Sequence, residues 1–177
     1  MRILETNSYE EMSLLAARMI GAQVLLKPDC VLGLATGTSP LGTYSELVKD
    51  CKAGILDFSR VRTVNLDEYC GLAADHVQSY RYFMNTNLFH HINIDPENTF
   101  LPDGTAEDME AECRRYEALV QWLGGADLQL LGIGRNGHIA FNEPADAFAP
   151  TTHIVELTES TIEANKRLSL IHISEPT

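Results

Sequence analysis

The sequence predicts an α/β fold: a Rossmann-like, mostly parallel sheet with helices on both faces. Short, almost wholly apolar runs alternate along the chain with longer segments of helical periodicity, which is the pattern of strand–helix units. Turns rich in glycine, threonine or acidic residues follow these apolar runs. With 177 residues, 45% of them apolar and 21% charged, the chain is long enough to bury one substantial core.

The first helix is predicted over about residues 9–26. Ser8 with Glu11 three residues later is the capping-box pattern that opens a helix. Its periodic apolar positions, which indicate the helix, are Met12, Leu15 and Met19.

The later elements follow from similar local signals. Pro40 suits the first position of the second helix, Gly54 ends it, and Thr105 with Asp108 opens a later one. The predicted strands cover about 30–35, 61–66, 128–133 and 152–157, and the helices after the first cover about 40–54, 79–90, 105–124 and a segment from about 160. No repeat or linker divides the chain, so we expect a single domain over residues 1–167.

Charge and cysteine content narrow the classes of function. The formal net charge of −12 gives little attraction for nucleic acid or for an anionic membrane, so neither is expected as a partner. No apolar run is as long as a membrane span and no signal pattern opens the chain, so we expect a cytoplasmic protein. Its four cysteines lack a CxxC pair and are expected to be reduced thiols, with no structural zinc site.

A first candidate site is the turn Thr36-Gly37-Thr38-Ser39 between a strand and a helix. Such a turn offers free backbone N–H groups and hydroxyls, and the helix dipole favours a bound phosphate. An acidic protein must hold an anionic substrate by a local device of this kind. A plain turn in which Ser39 caps the helix explains the same residues equally well.

A second candidate site is the acidic pair Asp67 and Glu68 at the exit of the second strand. Adjacent residues of an extended segment point in opposite directions, so we expect only one of them to face a site. A carboxylate beside an apolar strand end can act as a general base. Two solvated acids remain the alternative.

The third candidate site is the segment 132–144, Gly-Ile-Gly-Arg-Asn-Gly-His-Ile-Ala-Phe-Asn-Glu-Pro. Its glycines satisfy GxGxxG, but a dinucleotide site needs a helix directly afterwards, and Pro144 and Pro150 exclude a long one. The segment instead presents Asn136, His138 and Glu143 on irregular backbone. An imidazole oriented by a carboxylate can transfer protons near neutral pH.

Together these motifs resemble those of the glucosamine-6-phosphate deaminase family. The resemblance is carried by LATGTSPLGTY (34–44), LDEYCGL (66–72), His76, SYRYFM (79–84), AECRRYE (111–117) and GIGRNGHIAFNEP (132–144). It runs from near the N-terminus to about Arg167. The related 6-phosphogluconolactonases share a similar loop but typically have Arg after the acidic pair and lack the FNEP continuation, so Tyr69 and the end of the third motif favour a deaminase.

The resemblance implies roles for the polar residues. Asp67 is expected to move a proton between C2 and C1 of the opened aminosugar, and His138 to open the pyranose ring. Glu143 and Asn136 are expected to orient that histidine. The implied reaction converts glucosamine 6-phosphate into fructose 6-phosphate and ammonia in amino sugar catabolism, with no metal and no organic cofactor, because the carbonyl and amine of the substrate carry the electron flow.

The resemblance also implies how the phosphate is held and how activity is regulated. Thr36, Gly37, Thr38 and Ser39 are expected to bind the substrate phosphate together with Arg167. Where activated members hold an effector phosphate, this chain has Asp146, His153 and Val155, so we expect no activation by N-acetylglucosamine 6-phosphate. The family assembles in more than one way, so the resemblance leaves open whether this protein is a monomer or a homo-oligomer.

Residues 168–177, LSLIHISEPT, do not resemble the family and are expected to be a non-native tail, so the fold is predicted to be incomplete at its C-terminal end. Two other readings of the chain stay open. One is a lactonase-like enzyme or another sugar-phosphate isomerase. The other is a non-catalytic domain that senses a sugar phosphate, which needs the phosphate loop but not the proton-transfer residues.

Overall fold

The computed structural model of the protein describes residues 2–134, 136–147 and 149–156. Four α-helices alternate with four strands along these residues. They are α1 (Tyr9–Leu26), β1 (Val31–Leu34), α2 (Leu41–Lys52), β2 (Arg62–Asn65), α3 (Tyr80–Asn87), β3 (Thr99–Phe100), α4 (Met109–Trp122) and β4 (Leu128–Gln129). Short 3-10 turns at Phe89–His91 and Pro96–Asn98 lie between α3 and β3.

The four strands form one parallel sheet in the order β3-β2-β1-β4. The chain builds outward from β1 to β3 in one direction and then crosses back to place β4 on the other side of β1. Such a reversal leaves a crevice at the carboxyl ends of the two strands on either side of it. The predicted α/β class is confirmed, and the crevice between β1 and β4 is the expected place for a ligand.

Helices cover both faces of the sheet, as predicted. Leu32 and Leu34 of β1 belong to the larger core with residues of α1, α2 and α3. Val31, which points the other way, packs with Val64 in a smaller cluster that includes residues of α4. Successive strand residues point to opposite faces, so one four-residue strand contributes to both cores.

The bounds of α1 and its cap agree with the prediction, but two of its periodic apolar positions lie outside its buried face. Ser8 accepts a hydrogen bond from the backbone N–H of Glu11 at 3.1 Å. Met12 and Met19, however, are 38% and 52% exposed. The buried positions of the helix are Ser13, Ala17, Ile20, Gly21 and Val24.

Small residues explain this choice of face. A Cβ added at Gly42 of α2 would collide with the side chain of Ser13, so the two helices approach too closely there for larger residues. Close approach lets the helix backbones pack against each other, and dense packing outweighs the burial of the longer side chains of the other stripe.

Three elements differ from the prediction: the start of α4, the length of β4, and β3, which was not predicted. The last helix starts after Asp108, whose carboxylate accepts from Ala111 N at 2.9 Å, while Thr105 is held in a turn by Asp103. The strand predicted over 128–133 covers only Leu128–Gln129. β3 was not predicted, because two residues between prolines carry no periodic signal.

The strand predicted near 152–157 is not formed by its described residues. Thr152 is held instead by α4, since the carboxylate of Glu117 accepts from both the backbone N and the hydroxyl of Thr152 at 3.0 Å. The helix predicted from about 160 and the tail 168–177 lie outside the described residues. No helix within the described ranges is long and apolar enough to cross a membrane.

Candidate active site

A cavity of about 720 Å³ opens at the carboxyl ends of the strands, at the crevice between β1 and β4. This volume is in the range of small-molecule sites. Three chain segments line it: residues 34–40 after β1, residues 66–69 after β2, and parts of 130–141 after β4. All three segments that the sequence analysis singled out therefore meet at one cavity.

The loop after β1 contributes Thr36, Gly37, Thr38 and Ser39 to the cavity wall. Gly37 has φ +95°, a left-handed conformation that glycine adopts at no steric cost. Pro40 is the N-cap of α2, and no side chain caps this helix end. Within the described ranges, the backbone N–H groups of residues 36–39 have no protein acceptor, so they are available to an anion.

Two tyrosines hold this loop in place. The hydroxyl of Tyr44 accepts from the backbone N of Ala35 at 3.1 Å and donates to the carbonyl of the same residue. The hydroxyl of Tyr9 accepts from Gly42 N at 2.8 Å and donates to Thr38 O at 3.2 Å. Sequence reasoning missed both roles. Tyr44 occupies an apolar position of the predicted second helix, which indicates only a core residue. No local pattern links Tyr9 to a loop some thirty residues away.

The structure separates the two acids after β2. Asp67 lines the main cavity, whereas Glu68 does not. The Glu68 carboxylate turns to α3, where it accepts from Tyr80 N at 2.8 Å and from Arg81 N at 2.9 Å. The expectation that adjacent acids diverge is met, and Asp67 is the acid on the ligand side.

Asp67 is partly buried beside an apolar strand end. Burial raises the pKa of Asp67 to about 7, and the neighbouring Glu68 charge acts in the same direction. A carboxylate with such a pKa is a stronger base than an exposed one, and about half of it is ionised at neutral pH. This property suits a group that must accept and return a proton.

Three aromatic rings join the segments around Asp67. Tyr69 lies 5.0 Å from Tyr80 and 5.1 Å from Phe141 between ring centroids, and Tyr80 stacks on Phe141 at 5.6 Å. The rings come from the β2 exit, from α3 and from the segment after β4. Aromatic contacts of this geometry stabilise the arrangement beyond simple burial. They tie the Asp67 segment to the segment that carries His138.

His138 lines the same cavity as Asp67. Its Nδ1 is buried and has no hydrogen-bond partner within the described part of the chain. The ring packs over Gly134, and a Cβ built there would lie 2.5 Å from Nδ1 and nearer still to two other ring atoms. Gly134 is therefore needed for the position of the imidazole, a role that its place in a GxGxxG pattern does not suggest.

Asn136 and Glu143 do not line the cavity that His138 lines. The side chain of Asn136 accepts from the backbone N of His138 at 3.2 Å and donates to Glu143 Oε2 at 2.5 Å. These bonds hold the backbone that carries His138. The predicted contact of Asn136 with the histidine is thus made to its main chain.

A tight turn follows His138. Ile139 and Asn142 exchange backbone hydrogen bonds of 3.2 and 3.0 Å. Between them, Ala140 has φ +53°, the only described residue other than glycine with a positive φ. Holding alanine there costs about 1 kcal/mol. The turn directs Phe141 back onto the two tyrosines.

The remaining predicted positions lie elsewhere. Arg167, expected to bind the phosphate, is outside the described residues. Asp146 and His153 are exposed, and Val155 is partly buried in a second cavity of about 350 Å³. In the described ranges, no group of three or more His, Cys, Asp or Glu residues is arranged to hold a metal ion.

Comparison with known proteins agrees with this geometry. A family profile described as glucosamine-6-phosphate isomerases/6-phosphogluconolactonase matches residues 7–171. A glucosamine-6-phosphate deaminase of Clostridium perfringens is 58% identical over 167 residues, covering 94% of this chain and 69% of the relative. One from Lachnoclostridium phytofermentans is 60% identical, over 94% of this chain and 71% of the relative.

Solved structures show the same relationship. A monomeric glucosamine-6-phosphate deaminase superposes with a TM-score of 0.93 at 51% identity, covering 96% of this chain and 70% of that one. A 6-phosphogluconolactonase from Thermotoga maritima superposes with a TM-score of 0.65 at 24% identity, covering 79% and 63%. The second likeness shows a shared fold.

Proposed function

Because the chain belongs to the family of glucosamine-6-phosphate isomerases and 6-phosphogluconolactonases, we propose that it converts glucosamine 6-phosphate and water into fructose 6-phosphate and ammonia. The observation that carries the proposal is the meeting of Asp67, His138 and the 36–39 loop at one cavity. Identity of 58–60% to deaminases, against 24% or less to the matched lactonase structures, favours deamination over lactone hydrolysis.

The proposed phosphate site is the 36–39 loop, where backbone N–H groups without an acceptor in the described part of the chain and the N-terminus of α2 favour an anion. With the phosphate bound there, the sugar extends across the cavity between Asp67 and His138. Arg167 is the proposed second phosphate ligand. The loop is thus the positioning element of the reaction, and the Asp67 and His138 side chains are the reacting groups.

Ring opening comes first in the proposed reaction. The closed sugar has no carbonyl, so its C2 hydrogen is not acidic until the ring opens. His138 takes the proton of the anomeric hydroxyl and returns a proton to the ring oxygen, which breaks the bond from C1 to that oxygen. Imidazole suits this exchange because it binds and releases protons near neutral pH.

Proton transfer between carbons follows. Asp67 removes the C2 proton of the open aldehyde, giving an enolamine, and the proton is returned at C1. The resulting C2 imine takes up water and releases ammonia, leaving fructose 6-phosphate. The raised pKa of Asp67 suits both halves of this step, because the same group must first accept the proton and then donate it.

Ammonia release from glucosamine 6-phosphate, followed with a coupled glutamate dehydrogenase assay, tests the proposal. Asp67→Asn is expected to lower kcat by about 10²- to 10⁴-fold while substrate binding measured by calorimetry persists. Asp75→Asn, which removes an exposed acid, is the matched control.

Since the matched relatives are longer, the assay is repeated on residues 1–167 continued by the corresponding C-terminal part of the Clostridium perfringens relative. Absence of ammonia release from both proteins would contradict the proposed function. Binding that survives in Asp67→Asn without any turnover in the parent protein would instead indicate a sugar-phosphate sensor.

A further inference from the structure

We propose that Glu68 is a positioning residue for Asp67: it occupies the N–H donors at the start of α3, fixes the β2 exit, and withholds those donors from the Asp67 carboxylate. The inference rests on the proposed function of Asp67 as a base. It assigns a role to an acid that the reaction itself does not use.

The Glu68 carboxylate accepts hydrogen bonds from two of the first three backbone N–H groups of α3. Its Oε1 accepts from the backbone N of Tyr69 at 2.9 Å and of Tyr80 at 2.8 Å, and its Oε2 accepts from Arg81 N at 2.9 Å. Ser79, the N-cap, accepts from Tyr82 N at 2.9 Å. The first three N–H groups of α3 are therefore all satisfied.

Three charge-assisted bonds from one carboxylate are a strong attachment. They join the residue next to Asp67 to a helix that lies one loop further along the chain. The backbone of Asp67 is then held between β2 on one side and the start of α3 on the other. This attachment limits the movement of a base that must reach a carbon-bound proton.

The same contacts have an electrostatic consequence. The N-terminus of a helix carries about half a positive charge, which stabilises a nearby carboxylate. Here that charge and its donors are directed at Glu68, and Asp67 is left beside the Glu68 carboxylate without them. Glu68 therefore keeps the proton affinity of Asp67 high, in addition to the effect of burial.

The other ionisable groups around Asp67 do not offset this effect. Tyr69, Tyr80 on α3 and Tyr116 on α4 are phenols whose pKa values are raised by burial, so they are neutral at pH 7. His138 lines the same cavity as Asp67. The guanidinium of Arg81, the cationic side chain of α3, donates to the hydroxyl of Thr99 at 2.7 Å and to its carbonyl at 3.0 Å.

Titration of the Asp67 carboxyl tests the inference without relying on turnover. The full chain is labelled with ¹³C at the aspartate side-chain carboxyl, and the Asp67 signal is assigned by its loss in Asp67→Asn. Glu68→Gln keeps an oxygen acceptor for two of the three N–H groups but removes the charge. Its Asp67 midpoint is expected to fall by about one pH unit.

Two further variants separate charge from capping. Glu68→Asp keeps the charge but shortens its reach, and the Asp67 midpoint is expected to stay high. Ser79→Ala weakens the same helix end without altering any charge, and it too should leave the midpoint unchanged. An unaltered midpoint in Glu68→Gln, or an equal shift in Ser79→Ala, would overturn the proposal.

Activity then gives an independent comparison. In Glu68→Gln, the acidic limb of kcat/KM is expected to move to lower pH in parallel with the Asp67 midpoint. If the parent protein releases no ammonia but Glu68→Gln still shifts the carboxyl titration, the proposed function fails and the role of Glu68 stands.

Discussion

Replacing Gly134 with alanine is expected to displace the His138 imidazole and to lower kcat/KM by about 10²-fold. The imidazole lies directly over the Gly134 Cα, and an added Cβ would be 2.5 Å from its Nδ1. The backbone cannot readily yield, because Gly134 N donates to His138 O at 2.9 Å and Gly134 O accepts from Gly137 N at 2.9 Å. The ring must therefore move instead.

The size of the movement follows from ordinary contact distances. Carbon and nitrogen atoms that do not bond need about 3.5 Å between them, so the ring must retreat by about 1 Å. A misplacement of about 1 Å in a reacting group can cost about 10²-fold in rate. The loss is expected mainly in kcat, because the 36–39 loop, the proposed phosphate site, is not touched.

Gly132→Ala is the matched control. Its added Cβ would meet nothing within 4 Å, so kcat/KM is expected to stay within about 2-fold of the parent value. Steady-state kinetics of ammonia release, together with the NMR signals of the His138 ring, measure the two variants. Equal activity of Gly134→Ala and Gly132→Ala, or an unmoved ring in Gly134→Ala, would refute the reasoning.

Three other outcomes are expected. Asp67→Asn should stabilise the protein by about 1–2 kcal/mol above pH 7, because the raised pKa of Asp67 makes its ionisation unfavourable in the fold. Urea unfolding should show this gain in the free energy of unfolding growing between about pH 4 and 7. An equal gain at pH 4 would contradict the reasoning. Tyr9→Phe should raise KM about 5-fold with little change in kcat, because it removes the hydroxyl that bonds to Gly42 N and Thr38 O. Tyr82→Phe, which removes a tyrosine hydroxyl elsewhere, is the control. Added N-acetylglucosamine 6-phosphate should leave KM unchanged, and a clear fall would contradict the assignment of Asp146, His153 and Val155.

Local signals in the sequence predicted the framework well. Ser8 and Glu11 placed the start of the first helix, and the alternation of apolar runs with helical segments predicted a parallel sheet covered on both faces. Capping bonds and turn conformations depend on residues a few positions apart, so a single sequence contains the information needed. For the same reason, the local sequence identifies the loop 36–39 and the segment 132–144 as candidate sites.

Contacts between distant segments were decided only by the tertiary structure. Met12 and Met19 recur at helical spacing in α1, but the close packing of Ser13 against Gly42 leaves both methionines exposed. Alternation along a strand predicted that Asp67 and Glu68 diverge, yet the position of α3 determined which acid faces the cavity.

The sequence by itself therefore determined the fold class, the family and the residue types available for proton transfer, because these are written in local order and spacing. The tertiary structure alone decided that Tyr9 holds the 36–39 loop, that Gly134 makes room for His138, and that Glu68 caps α3. Each of these depends on a distance between atoms far apart in the chain, and packing of the whole molecule sets such distances.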